Sequence, residues 1–159
     1  MLQYELRQAT PADTQLVREL KFSGLRPYVE KLWGWDAHDQ EERFQASFVP
    51  DRQQIIRYES RDVGMLHVED HVDEVILAGI YIATSHRSKG LGSAIIRDVL
   101  AQAALAGKPV KLRVLRPNPA RELYERLGFR VAEESETHFA MEARSLAAQQ
   151  GVSGLPRSS

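Results

Sequence analysis

Two cations, two glycines and two hydroxyls fall within seven residues at Arg87-Ser88-Lys89-Gly90-Leu91-Gly92-Ser93. Gly90 and Gly92 permit close backbone approach and tolerate positive φ. Arg87 and Lys89 supply full positive charge. Where such a turn opens a helix, the free backbone N–H groups and the positive end of the helix dipole favour an anion. These residue types at this spacing suit a phosphate or pyrophosphate. A dinucleotide fingerprint is excluded, because the third glycine and the acidic residue about 20 positions on are absent. A Walker A loop is excluded because its Gly-Lys-Ser/Thr ending is absent. On the turn alone, plain packing of a strand against a helix accounts for the glycines equally well.

The elements that must position this turn are legible on both sides. Before it runs an apolar stretch, Val75 to Ala83, expected as a buried strand, then a polar turn from Thr84 to Lys89. After it a helical pattern begins near Gly90 and ends around Ala106. Upstream, Leu2 to Ala9 alternates as a strand. Thr10 and Pro11 then open a helix with Leu16, Val17 and Leu20 on one stripe. Gly24 is expected to interrupt that helix, Arg26 to Trp33 to form a second piece, and Gly34 to stop it. Asp36 caps a third helix, Ala37 to about Phe48, with Phe44 and Phe48 on one face. Gln53 to Ser60 and Val63 to Glu69 read as a hairpin joined at Arg61-Asp62. Asp70 to Asp73 forms the next turn.

Downstream, Gly107-Lys108-Pro109 breaks the chain, and Val110, Leu112 and Val114 alternate along a strand. Asn118 and Pro119 start a helix with Ala120, Leu123, Tyr124 and Leu127 as its apolar positions. Phe129 to Glu133 and Thr137 to Glu142 are the last strands. This order gives an α/β fold, a mixed sheet with helices on both faces. Residues 1–144 read as one domain, and 145–159, rich in Ala, Gln, Gly and Ser, as a flexible tail.

Composition narrows the class. Hydrophobic content of 43% and charged content of 27% are ordinary for a globular protein. A net charge of −1 gives no support for a nucleic-acid surface. With no cysteine, disulfides, thiolate metal sites and cysteine nucleophiles are excluded. No apolar run approaches the roughly 18 residues of a membrane span, and the N-terminus does not read as a secretory signal. The expectation is a cytoplasmic protein that binds neither nucleic acid nor membrane.

Arg87, Gly90 and Gly92 together resemble the acyl-coenzyme A pyrophosphate loop of the GNAT N-acetyltransferase superfamily, in which Gln or Arg is followed by two spaced glycines. The stretch Asn118-Pro119-Ala120-Arg121-Glu122-Leu123-Tyr124-Glu125-Arg126-Leu127-Gly128-Phe129 resembles that family's second signature. The two occur in the family's order, separated by a helix and a strand, and the resemblance covers about residues 1 to 144 of a small, bacterial-type, single-domain member. It implies the GNAT fold, a mixed, mostly antiparallel sheet of about seven strands with about four or five helices. It implies acetyl-coenzyme A as co-substrate, with no metal. Ile82 would offer backbone groups to the pantetheine arm. Arg87, Ser88, Lys89, Gly90, Leu91, Gly92 and Ser93 would wrap the pyrophosphate, mostly with main-chain N–H groups. Asn118 would bond the cofactor arm, alongside its role as helix cap. Tyr124 would be the general acid that protonates the departing thiolate; packing as an amphipathic core tyrosine is its other reading.

The implied reaction is transfer of an acetyl group to a primary amine of a small molecule, amino acid or peptide N-terminus, by direct attack in a ternary complex. It needs a base, since an amine is mostly ammonium at neutral pH. Many relatives keep a carboxylate on the central strand, and Val75 to Ala83 carries none. Glu74, Glu69, His67 and His138 are the candidates, with a water chain as the alternative. The aromatic stretch from Arg26 to Asp36, with Tyr28, Trp33 and Trp35, is the candidate acceptor wall; packing of the helix is its other reading. Both that stretch and the final strands offer surfaces for a homodimer. A non-catalytic acyl-coenzyme A binding module is the competing reading, motivated by the missing carboxylate. A protein binding ATP or a dinucleotide is a third.

Overall fold

The computed structural model describes residues 3–144. The stretch 145–159, expected as a tail, lies outside the described residues, as does the first residue of the strand expected from Leu2. Among the described residues, seven strands form one mixed sheet in the order β1-β2-β3-β4-β5-β7-β6, with four α-helices. In chain order these are β1 (Glu5–Gln8), α1 (Thr14–Trp33), α2 (Ala37–Ser47), β2 (Gln54–Tyr58), β3 (Arg61–Asp70), β4 (Val75–Ile82), α3 (Leu91–Leu105), β5 (Val110–Leu115), α4 (Ala120–Arg126), β6 (Arg130–Glu134) and β7 (His138–Ala143). The order of strands and helices matches the sequence expectation. Among the described residues no helix is long and apolar enough to cross a membrane.

The chain folds as two compact units, 3–68 with 78–92, and 69–77 with 93–144. In the first, Thr10 and Asp13 form a capping box around a 3-10 turn at Pro11–Asp13 that leads into α1. Arg7 clamps Asp13 at 2.7 and 3.0 Å and reaches Asp62 at 2.9 Å. Its guanidinium holds the Asp13 carboxyl below the usual carboxylate range. β1 pairs antiparallel with β2, and β2 with β3. Val17 and Leu20 of α1, Phe44 of α2, Ile55 of β2 and Met65 of β3 bury together with Ala9.

Two expectations fail in this unit. The hairpin turn is Glu59-Ser60, not Arg61-Asp62, since Tyr58 pairs with Arg61 across it. Both turn residues adopt positive φ, 53° and 65°. The second failure is α1, which runs unbroken for 20 residues through Gly24 and Pro27. Both residues are poor in a helix interior. Packing explains Gly24: a Cβ there would lie 3.0 Å from Cδ1 of the Tyr81 ring. The glycine lets the helix ride over that ring, and the tertiary contact overrides local propensity. Gly34 ends the helix at φ 78°. As expected, Asp36 caps α2, its side chain accepting from the Asp39 N–H at 2.9 Å.

In the second unit, β5 pairs with β7 along six residues, from Val110 opposite Ala143 to Leu115 opposite His138. β6 pairs with β7 beyond that, and the start of β4 runs parallel to β5 at Val75–Val110 and Ile76–Lys111. Alternation puts Val110, Leu112 and Val114 on the buried face with Phe139, Met141 and Ala143 inward on β7. Lys108 closes on Asp70 at 2.7 Å and Lys111 on Glu74 at 2.9 Å.

Candidate active site

β4 changes character along its length. Val75 and Leu77 are buried, as an apolar run should be. Ala78 is exposed, and Gly79, Ile80, Tyr81 and Ile82 are only half-buried. The expectation of a wholly buried strand therefore fails in its second half. Gly64 on β3 marks how closely the backbones approach there, for a Cβ on it would stand 2.6 Å from the Tyr81 carbonyl oxygen. Tyr81 packs toward the α1 core, whereas Ile82 points its Cδ1 to within 3.4 Å of where a Cβ on Gly92 would be.

Past Ile82 the chain makes a 3-10 turn at Thr84–His86, where the Ser85 hydroxyl bonds Nδ1 of His86 at 2.8 Å. Ser88 (φ 65°) and Gly90 (φ 81°) both take the left-handed conformation, and α3 starts at Leu91. Left-handed residues set into such a turn aim successive N–H groups into one concavity, and the first turn of α3 adds its own unpaired donors. The segment from Arg87 to Gly90 is exposed. Leu91 has its side chain in the core at 1% exposure, so only its backbone can serve a ligand. The two cations differ. Lys89 has no ion-pair partner among the described residues. Arg87 turns inward, its Nε donating to the Ile82 carbonyl at 2.8 Å and its Nη2 to the Ser23 hydroxyl at 3.3 Å.

Ser93, Asn118, Tyr124, Glu69, Glu74 and His138 fall in the second unit. The Asn118 side chain accepts from the Ala120 N–H at 2.8 Å, but the helix starts one residue later than expected, with Pro119 and not Asn118 at the cap position. Tyr124 is half-buried, its ring edge-on to Phe129 at 5.7 Å. Its hydroxyl has no hydrogen-bond partner among the described residues. Burial pushes its phenol above the ordinary tyrosine value, so it stays protonated at neutral pH. Glu74 precedes β4, and its bond to Lys111 lowers its carboxyl below the ordinary glutamate value. Glu69 meets His71 at 3.1 Å. His138 bonds the Thr137 hydroxyl through Nδ1 at 2.8 Å, and burial, then the charge of Arg113, lowers its pKa. It is uncharged at pH 7. His67 lies half-buried in β3.

The aromatic stretch divides. Trp35 stands edge-on to Phe22 at 5.3 Å, and Arg26 sits over its ring at 5.1 Å. One face of that ring is thus already occupied by a cation from within the chain. Tyr28 is half-buried on α1, and Trp33 is 59% exposed. Among the described residues no cluster of three His, Cys, Asp or Glu is grouped to hold a metal ion.

Residues 50–131, about half of the chain, match the family model described as an acetyltransferase (GNAT) domain. The chain belongs to the GNAT acetyltransferase family. No curated protein sequence matches it. Solved structures do share the GNAT fold. The PaiA N-acetyltransferase of Thermoplasma acidophilum, in complex with coenzyme A, aligns with a TM-score of 0.73 at 14% identity, over 91% of this chain and 100% of that one. An acetyltransferase from Thermus thermophilus aligns at 0.68 and 22% identity, over 91% and 98%. Naa50 of Arabidopsis thaliana, in complex with the bisubstrate analogue CoA-Ac-MVNAL, aligns at 0.61 and 14% identity, over 89% and 99%.

Sequence reading missed Ser23, which Arg87 meets, and Tyr81, whose ring packs against Gly24. The available signal was two misplaced glycines, Gly24 inside a helical pattern and Gly79 inside a strand pattern. Each marks a close approach by something else. Here that partner is the Tyr81 ring, 3.0 Å from a Cβ built on either one.

Proposed function

We propose that this chain is an acetyl-coenzyme A-dependent N-acetyltransferase acting on a primary amine of a small molecule, amino acid or peptide N-terminus, with residues 1–144 as its catalytic domain. The observation that carries the reading is the loop after β4, with Ser88 and Gly90 left-handed and α3 beginning immediately beyond. In a chain of this family, such a donor-rich loop suits the pyrophosphate of coenzyme A. Two solved structures of the same fold, by their names, hold coenzyme A or an analogue containing it.

In this reading the donor's pantetheine arm lies along the uncovered end of β4 beside Ile82, and its phosphates rest on the main chain from Arg87 to Ser93. Asn118 bonds the arm. The neutral amine attacks the thioester carbonyl, forming the C–N bond and an oxyanion that main-chain N–H groups near Ile82 stabilise. Collapse breaks the C–S bond, and Tyr124, held protonated by burial, gives its proton to the leaving thiolate. The proton lost by the amine leaves through a base or a water chain. Glu74 suits this poorly. It precedes the first residue of an eight-residue strand that ends at Ile82, a span of roughly 3.3 Å per residue, and it is already paired with Lys111. His138 is uncharged at neutral pH and can accept a proton, so it stays a candidate beside Glu69 and His67. Tyr28, Trp33 and Trp35 remain the aromatic groups for the acceptor, with Arg26 already over one face of the Trp35 ring.

The test mixes the protein with acetyl-coenzyme A and a panel of small amines, amino acids and short peptides, and measures free thiol. Release above the no-acceptor rate with at least one amine is expected. Tight coenzyme A binding with no release across the panel would instead support the non-catalytic binding module.

A further inference from the structure

We propose that the Arg87 side chain positions the end of β4 and is not a ligand of the cofactor's phosphates. This rests on the acetyl-transfer reading above and assigns a role within that same site. The guanidinium is already committed. Nε donates to the Ile82 carbonyl at 2.8 Å and Nη2 to the Ser23 hydroxyl at 3.3 Å. On the other side of the same peptide unit, the Ala83 N–H donates to the Val63 carbonyl at 2.8 Å. The Ile82–Ala83 peptide plane is therefore pinned from both directions. In a strand the N–H and C=O of one residue face the same edge. Fixing the Ile82 carbonyl thus fixes the direction of the Ile82 N–H, the group this reading places beside the thioester.

The Ser23 end of the bridge has its own reason. Pro27 has no N–H to offer the carbonyl four residues before it, which belongs to Ser23. Gly24 follows directly, so α1 is weakest at this turn. The turn is held from outside by the Tyr81 ring and by Arg87, whose Nη2 lies 4.0 Å from where a Cβ on Gly24 would be. One planar fork with fixed donors can span a helix hydroxyl and a strand carbonyl together, which a lysine ammonium on its flexible stem cannot reproduce. The charge facing the phosphates is left to Lys89, exposed two residues on, and to the main chain.

The experiment compares wild type, Arg87→Ala, Arg87→Lys and Ser23→Ala with two donors, acetyl-coenzyme A and S-acetylpantetheine, which lacks the pyrophosphate. Arg87→Ala is expected to lower kcat/KM about tenfold with both donors alike, Arg87→Lys to restore little, and Ser23→Ala to show a smaller loss, again equal for the two. The salt dependence of coenzyme A affinity should be unchanged in Arg87→Ala, because no phosphate contact has been lost. A loss confined to acetyl-coenzyme A, restored by lysine and accompanied by weaker salt dependence, overturns the proposal. Thermal unfolding of each variant checks folding. If Arg87→Ala does not fold, Arg87→Lys and Ser23→Ala decide on the same donor comparison. If wild type releases no thiol from either donor, the acetyl-transfer reading fails separately. The salt dependence of coenzyme A binding then still decides Arg87's role.

Discussion

After β4 the chain offers a loop with left-handed backbone and one lysine unpaired among the described residues, whereas Asn118 and α4 offer an amide and a phenol side chain. The loop from Arg87 to Ser93 holds two left-handed residues, a leucine whose side chain is core, and an arginine folded back onto its own strand. What remains for a ligand is the Lys89 ammonium and the main-chain N–H groups of the loop and of the first turn of α3. Asn118 and Tyr124 are the reverse case. The Asn118 side chain accepts from the N–H of Ala120, the first residue of the helix, and the Tyr124 ring is wedged against Phe129 with its hydroxyl unpartnered among the described residues. The difference separates binding from turnover. A loop made of backbone is damaged by changes in φ and tolerates changes of side chain. A helix that presents a phenol is damaged by losing one oxygen.

The largest expected effect is at that oxygen. Tyr124→Phe keeps the ring and its contact with Phe129 and removes only the proton donor. Turnover should fall about a hundredfold or more, while the KM for acetyl-coenzyme A moves by less than about twofold. Steady-state kinetics at varied donor concentration measure both. Equal loss of turnover and affinity would make Tyr124 a packing or binding residue and collapse the contrast. Because burial raises the phenol pKa, the acid stays protonated well above neutral pH, and no alkaline fall in rate below about pH 9 should trace to this residue.

The next effect lies in the loop's backbone. Gly90→Ala forces an alanine to φ 81°, which costs about 1 to 2 kcal/mol. Coenzyme A affinity should drop about fivefold to twentyfold as the loop relaxes away from that conformation. Ser88→Gly is the complementary change, removing a side chain from a residue already at φ 65°. Calorimetry should show coenzyme A binding as tight or tighter in that variant. Weaker binding by Ser88→Gly would mean that the hydroxyl is itself a ligand, and the main chain with Lys89 would no longer account for the loop.

Much of this architecture is written in local pattern. Alternation in Val110, Leu112 and Val114, the Thr10-Pro11 start of the first helical segment, the Asp36 cap and the glycines at 90 and 92 all act over a few residues, and a few residues suffice to read them. What escaped reading depends on contacts far apart in sequence. Gly24 and Pro27 are helix breakers in isolation, and only the Tyr81 ring and the Arg87 bridge explain why α1 continues through them. The apolar run from Val75 to Ala83 looks uniformly like core. Its second half is left half-covered because of what packs around it, which no property of the run itself records. The direction of the Arg87 guanidinium is set by Ser23, 64 residues away. Glu74 looked like the carboxylate nearest the central strand, yet its partner Lys111 lies on β5, and that pairing is invisible in the spacing.

The smallest effect tests whether left-handed backbone matters in itself or only where a ligand rests on it. The β2–β3 hairpin turns at Glu59-Ser60, with φ 53° and 65°, the two-residue primed geometry for which Asn-Gly is preferred. Neither native residue suits it, and each non-glycine in this region costs on the order of 1 kcal/mol, partly offset in a glycine variant by greater freedom of the unfolded chain. The double change Glu59→Asn with Ser60→Gly should therefore stabilise the protein by about 0.5 to 1 kcal/mol, read as a higher urea midpoint with unchanged slope. The Ser60 carbonyl that accepts from Arg57 at 2.9 Å is main chain and survives the substitution. Acetyl transfer and coenzyme A affinity should stay at wild-type values. A drop in either would show that strain in this hairpin reaches the end of β4 through β3. The loop and the hairpin would then have to be treated as one coupled backbone.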